Sequence, residues 1–98
     1  MLEEKKQIEK MVKSLWQGKG VDIVMLSQLL DEMTSKMINA IDEWNKKGID
    51  FPVQYILETM KHTTDSIQKK DDYRLADCLM YEWLEIIDVY EEVAMECK

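Results

Sequence analysis

Apolar residues along this chain recur at alternating steps of three and four, the spacing that stacks side chains on one face of an α-helix, and they do so in four separate runs. In the first run Ile8, Met11, Val12, Leu15 and Trp16 share a face. The second is longer. Leu26, Leu30, Met33, Met37, Ala40 and Trp44, flanked by Leu29 and Ile41, form a bundle-type seam. The third run holds Val53, Ile56, Leu57, Met60, Thr64 and Ile67. The fourth holds Ala76, Leu79, Trp83, Ile86, Tyr90, Val93 and Cys97, widened by Met80, Ile87 and Ala94, and reads as one uninterrupted rod.

Breakers separate the runs. Gly18 and Gly20 end the first helix near Trp16, and Asp22 is placed to cap the second. The second runs to Lys46 or Lys47, where cations favour the negative end of the helix dipole, and Gly48 stops it. Asp50 or Phe51 is the expected cap of the third helix, with Pro52 in its first turn, where a missing N–H costs nothing. Gln68-Lys69-Lys70 followed by Asp71-Asp72 reads as a cationic helix end meeting an anionic helix start.

Short connections make neighbouring helices antiparallel, so the expected architecture is all-α, a four-helix up-down-up-down bundle. With 98 residues, 46% of them hydrophobic, and only three Gly and one Pro, the chain fits one domain over residues 1–98. A domain of this size buries roughly 60–70% of its unfolded surface. The first helix is too short to cover both long seams. A second copy of the chain is the simplest cover, which predicts a homodimer formed through the long helices.

Charge sharpens the picture. Residues 71–98 carry nine acids against Arg74 and Lys98, whereas residues 1–70 carry eleven charges of each sign, so the whole net charge of −7 lies in the terminal segment. Such a balance argues against a nucleic-acid partner, whose phosphates are held by cations. No run approaches the roughly 18 apolar residues of a membrane span, and the first 13 residues are densely charged, with no hydrophobic signal core. Cys78 and Cys97 are too far apart to pair, about 28 Å along one helix at ~1.5 Å per residue. Free thiols and a soluble composition predict a cytoplasmic protein.

Candidate chemistry is sparse. Glu58, His62 and Asp65 share a stripe that could face a metal, but it points away from the apolar face of its helix, and a solvated surface accounts for it. Glu85, Asp88 and Glu92 group on the outer side of the fourth helix. The inward Glu-x-x-His pairs of di-metal bundles do not occur. No cofactor or metal is expected. Cys78 sits among acids, which raise a thiol pKa, so nucleophilic catalysis is not expected either.

What remains is binding. Asp77, Tyr81, Leu84, Asp88 and Met95 form a second face of the fourth helix, turned away from its seam, with Glu91 and Glu92 beside it. Tyr and Leu framed by acids suit a partly basic or helical protein partner. Eight methionines are many for this length. Met33, Met37, Met60 and Met80 fall on inner stripes and fill gaps there, while Met25 and Met95 fall outside and suit adaptable contacts. The expected function is a non-enzymatic protein-protein binding or adaptor module. The rival readings are a metal-dependent carboxylate enzyme and a chaperone-like holder of an amphipathic helix.

Lys70-Asp71-Asp72-Tyr73-Arg74-Leu75-Ala76-Asp77-Cys78-Leu79-Met80-Tyr81-Glu82-Trp83 resembles the K-D-Y-x-L-L-A-D-x-L-E-Y-E-L segment of small, acidic, uncharacterised helical proteins of Gram-positive bacteria, and Leu26 to Ile41 is similar to their preceding amphipathic helix. The departures are the inserted Asp72, Met80 where that family has Glu, and Trp83 where it has Leu. The resemblance implies an all-helical cytosolic protein and supplies no mechanism. It also implies that Asp71, Tyr73, Asp77, Tyr81 and Glu82 act together, with Tyr81 and Glu82 meeting a partner.

Overall fold

A computed structural model describes residues 2–96, and every regular element in that range is helical. Helix α1 spans Leu2–Trp16, α2 Ile23–Lys46 and α3 Val53–Gln68. A terminal rod follows, made of α4 (Asp72–Asp77), a π-helical turn (Cys78–Trp83) and α5 (Leu84–Glu96).

Three of the four rods end in the same way. At each end one residue takes the left-handed conformation, and its own backbone N–H and that of the next residue fold back on carbonyls that the helix leaves unsatisfied. At the end of α1, Gly18 (φ 75°) donates to the Leu15 carbonyl at 3.1 Å, and Lys19 to that of Ser14 at 2.9 Å. At the end of α2, Gly48 (φ 82°) donates to Asn45 at 3.1 Å, and Ile49 to Trp44 at 2.9 Å. After α3 the same position is held by Lys70 (φ 55°), whose N–H reaches the Ile67 carbonyl at 3.1 Å while Asp71 reaches Ser66 at 3.0 Å.

Helix starts follow the sequence at two places and depart from it at one. The Asp22 carboxylate accepts from the N–H groups of Val24 (3.0 Å) and Met25 (3.3 Å), and Asp71 accepts from that of Arg74 (3.1 Å), as N-caps do. Pro52, expected inside the first turn of α3, is itself the N-cap, with Val53 the first helical residue and no side-chain cap bond. The reason lies in Phe51. It is buried, with its ring centroid 5.8 Å from that of Trp44, and this packing draws the chain inward before the helix begins.

The terminal rod makes close backbone approaches to both α1 and α3. Its buried residues Leu75, Ala76, Leu79, Trp83, Ile86 and Ile87 join Ile8, Val12 and Leu15 of α1, Ile56 of α3 and the α2 seam in one core. Trp44 also lies against Tyr90 of α5, centroid to centroid 5.2 Å. Leu26, Leu29, Leu30, Met33, Met37, Ile41 and Trp44 are all buried within the single chain. Ala40 of the α2 seam, and Tyr90, Val93 and Ala94 of the seam on the terminal rod, are only half-buried.

Three further expectations are corrected. Trp16, Leu57 and Thr64, placed on inner faces by spacing, are exposed. The dry side of α3 is instead Ile56, Thr59, Thr63 and Ser66. And the rod carries a π turn in place of uniform α-spacing: the N–H of Leu84 donates to the carbonyl of Leu79, five residues back. The backbone stays helical on both sides of it, at Asp77 and Leu84, so the rod is re-phased and not cut. Cys97, the last position of the expected seam, lies outside the described residues.

Candidate functional site

A π turn takes about one residue more per revolution than an α turn, which changes the direction of the side chains that follow it. Here the consequence is a rod gripped from two sides. On the α3 side, Trp83 Nε1 donates to Thr63 Oγ1 at 2.9 Å, and the Thr63 hydroxyl donates to the Thr59 carbonyl at 2.7 Å. Ser66 Oγ donates to the His62 carbonyl at 2.9 Å and lies 3.9 Å from Cys78 Sγ. At the rim, His62 Nδ1 meets Glu82 Oε1 at 2.9 Å. Below them Arg74 Nη1 reaches Asp65 Oδ2 at 2.9 Å, and Lys69 approaches the same oxygen at 3.2 Å.

Thr63 and Ser66 can sit on a dry helix face because a hydroxyl can bond the carbonyl four residues back, satisfying itself inside its own helix. The hydroxyl spacing at 59, 63 and 66 was the available sequence signal. An apolar count passes over it.

On the α1 side the polar contacts are ion pairs near its start. Lys5 Nζ lies 2.6 Å from Asp88 Oδ1 and 3.5 Å from Glu91 Oε2. The hydrogen bond to Asp88 raises the Lys5 pKa, with the charges of Asp88 and Glu91 adding to it against some desolvation. Further along, Val12 and Trp16 of α1 and Met80 and Leu84 of the rod line an apolar groove of about 240 Å³, with Glu9 and Lys13 at its edge.

The expected partner face is thus divided. Asp77, Tyr81 and Glu82 line a cleft of about 260 Å³ together with His62, Arg74 and Cys78. Leu84 is half-buried and turns to the α1 groove. Asp88 is exposed but engaged by Lys5. Met95 stands apart on the last turns, 73% exposed. Tyr81, 63% exposed, occupies the crest between the two depressions, flanked in sequence by Met80 of the groove and Glu82 of the cleft.

Burial and the neighbouring Glu82 push the Cys78 thiol up to about 11, so it is held as an unreactive thiol. Asp65 is held below the usual carboxylate range by its hydrogen bond to Lys69, with the charges of Lys69 and Arg74 adding to it. Tyr55 Oη donates to Glu85 at 3.4 Å, and burial first, then the charges of Glu85 and Glu82, raises its pKa. Among the described residues no group of three or more His, Cys, Asp or Glu side chains is disposed to hold a metal ion. Among the described residues no helix is long and apolar enough to cross a membrane.

The arrangement belongs to a small all-helical protein whose polar network fastens the terminal rod to α3 and leaves an apolar seam open against α1. No protein-family profile, curated protein or solved structure matches this chain.

Proposed function

We propose that this chain is a cytoplasmic, non-enzymatic binding module whose four rods run up-down-up-down and whose terminal rod docks a protein partner through Asp77, Tyr81, Glu82, Leu84, Asp88 and Met95. The observation that carries the reading is the exposure of Tyr81 on a crest between two depressions, on a rod that holds all of the net negative charge. A large exposed aromatic beside apolar surface and carboxylates has the composition of a binding hot spot. The likeness of residues 70–83 to the small acidic helical proteins of Gram-positive bacteria supports the same reading, since it runs through Asp77, Tyr81 and Glu82.

An adaptor of this kind is compatible with a homodimer, which would form on this same face and not on the buried α2 seam. The methionines that a helix-holding chaperone would use, Met25 and Met95, are 59% and 73% exposed, and neither lines the groove between α1 and the terminal rod.

Tyr81→Asp tests the reading. The variant keeps its helical circular dichroism, because the side chain is mostly in solvent, and loses partner capture when tagged protein is cross-linked in cells. Retained capture of the same partner removes the reading.

A further inference from the structure

We propose that the groove between α1 and the π turn receives a cationic amphipathic helix of a partner protein, its apolar side on Val12, Trp16, Met80 and Leu84 and its basic side over Tyr81 and Asp77. The inference rests on the docking reading above and adds the seat and the chemistry of the occupant.

Shape comes first. The groove is bordered by two helical rods, α1 and the terminal rod, and a third helix laid along such a pair can set one apolar stripe into it. The buried Val12 forms its floor, while Trp16 (49% exposed) and the half-buried Met80 and Leu84 form its walls. Its volume of about 240 Å³ gives room for large aliphatic or aromatic anchors. Met80 adds a flexible wall that can repack around them.

Charge then selects the occupant. Glu9 and Lys13 at the edge carry opposite charges, and the chain's net negative charge lies on the terminal segment beside them. Within the rod, Asp88 and Glu91 are engaged by Lys5, Glu82 by His62 and Glu85 by Tyr55. Asp77 is exposed, has no ion-pair partner among the described residues and lines the same cleft as Tyr81. A carboxylate next to an exposed phenol ring suits an incoming guanidinium or ammonium, which can pair with one and stack on the other. Arg74 in that cleft is turned to Asp65 Oδ2, an oxygen it shares with Lys69, and makes no ion pair with Asp77. An anionic helix would meet a segment with nine acids and two cations, and is repelled.

Two synthetic four-turn peptides provide the test, with identical leucine and tryptophan faces and polar faces made of lysine and arginine in one and of glutamate in the other. Fluorescence anisotropy against the full chain should show the cationic peptide binding at least tenfold more tightly, with the difference shrinking as salt rises. Trp16→Glu, at an exposed groove position, should weaken it tenfold or more. Asp77→Lys should weaken it several-fold more than Asp42→Lys, which makes the same change in net charge on the exposed side of α2.

Equal binding of the two peptides, or equal effects of Asp77→Lys and Asp42→Lys, overturns the proposal. If Tyr81→Asp and Asp77→Lys weaken the cationic peptide while Trp16→Glu and Leu84→Glu leave it unchanged, the groove is wrong and the docking reading survives. If none of the four matters, both fall. A dimer in sedimentation that Trp16→Glu converts to a monomer makes the occupant a second copy, and overturns the cationic partner.

Discussion

The indole N–H of Trp83 reaches from the π turn into the polar stripe of α3 and donates to Thr63 Oγ1 at 2.9 Å, both residues being buried. The Thr63 hydroxyl passes its own proton to the Thr59 carbonyl at 2.7 Å, so donor and acceptor capacities are both used. The Thr59 hydroxyl, fully buried one turn away, has no hydrogen-bond partner among the described residues. Two threonines four residues apart on one face therefore contribute with opposite sign.

Replacing each by valine, which keeps shape and removes the hydroxyl, separates them. Thr63→Val strands a buried indole donor and should cost about 1–3 kcal/mol. Thr59→Val removes an unsatisfied buried hydroxyl and should stabilise the fold by about 1 kcal/mol. Urea denaturation of the two variants reads the difference directly. Equal destabilisation by both would contradict the assignment.

Lys70 is the one non-glycine residue with positive φ among the described residues, and it occupies the position that Gly18 and Gly48 hold at the other helix ends. A side chain there costs roughly 1–2 kcal/mol against glycine, offset in part by the greater freedom glycine has in the unfolded chain. Lys70→Gly should accordingly raise stability by about 0.5–1 kcal/mol in thermal or urea melts. Lys70→Val, branched at the strained position, should lower it.

The thiol of Cys78 is pushed up to about 11 from an ordinary 9.0, chiefly by burial and then by Glu82. A raised folded-state pKa gives stability that is whole below the unfolded pKa and is lost as pH rises through the folded one. Between about pH 9 and about pH 11 the chain should lose stability, and Cys78→Ala should flatten that part of the curve. Tyr55 and Lys5, also raised, act with the same sign at higher pH. In a Cys97→Ser background the native protein should react slowly with an aromatic disulfide at pH 8 and rapidly once unfolded. Fast native reaction would show that the thiol is reachable.

The α2 seam was legible because all of its buried side chains but Thr34 are apolar and the helix runs at a constant 3.6-residue period. So were the caps Asp22 and Asp71, whose side chains bond locally and answer to neighbours two or three residues away. Thr59, Thr63 and Ser66 were not, because Thr63 answers to a partner twenty residues on, Trp83, the hydroxyls of Thr63 and Ser66 satisfy themselves within α3, and that of Thr59 is buried without a partner among the described residues. Trp16 misled for the opposite reason. Its phase on α1 is apolar, but it stands on the last turn, at the edge of the groove that Met80 and Leu84 leave half-open. The expected binding face suffered most, since wheel geometry assumes one pitch and the pitch changes between Cys78 and Trp83.

That change of pitch is itself testable by length. Within the turn, Cys78, Leu79 and Trp83 are buried, Met80 and Glu82 are half-buried, and Tyr81 alone is exposed. A wider turn can hold one more residue than an α turn over the same advance, so removing one residue should let α4 and α5 join as a uniform helix with both flanks in phase. Deleting Tyr81 discards the side chain that contributes least to the core. The deletion variant should stay helical by circular dichroism, melt cooperatively, and lose less than the roughly 2–5 kcal/mol expected on removing a buried leucine. Deleting Ile87, equally a single residue but inside the regular α5 and fully buried, should shift the phase of Tyr90 away from Trp44 and abolish cooperative melting. If the two deletions prove equally damaging, the turn is not a tolerated extra residue but a feature that the packing of Trp83 on Thr63 requires.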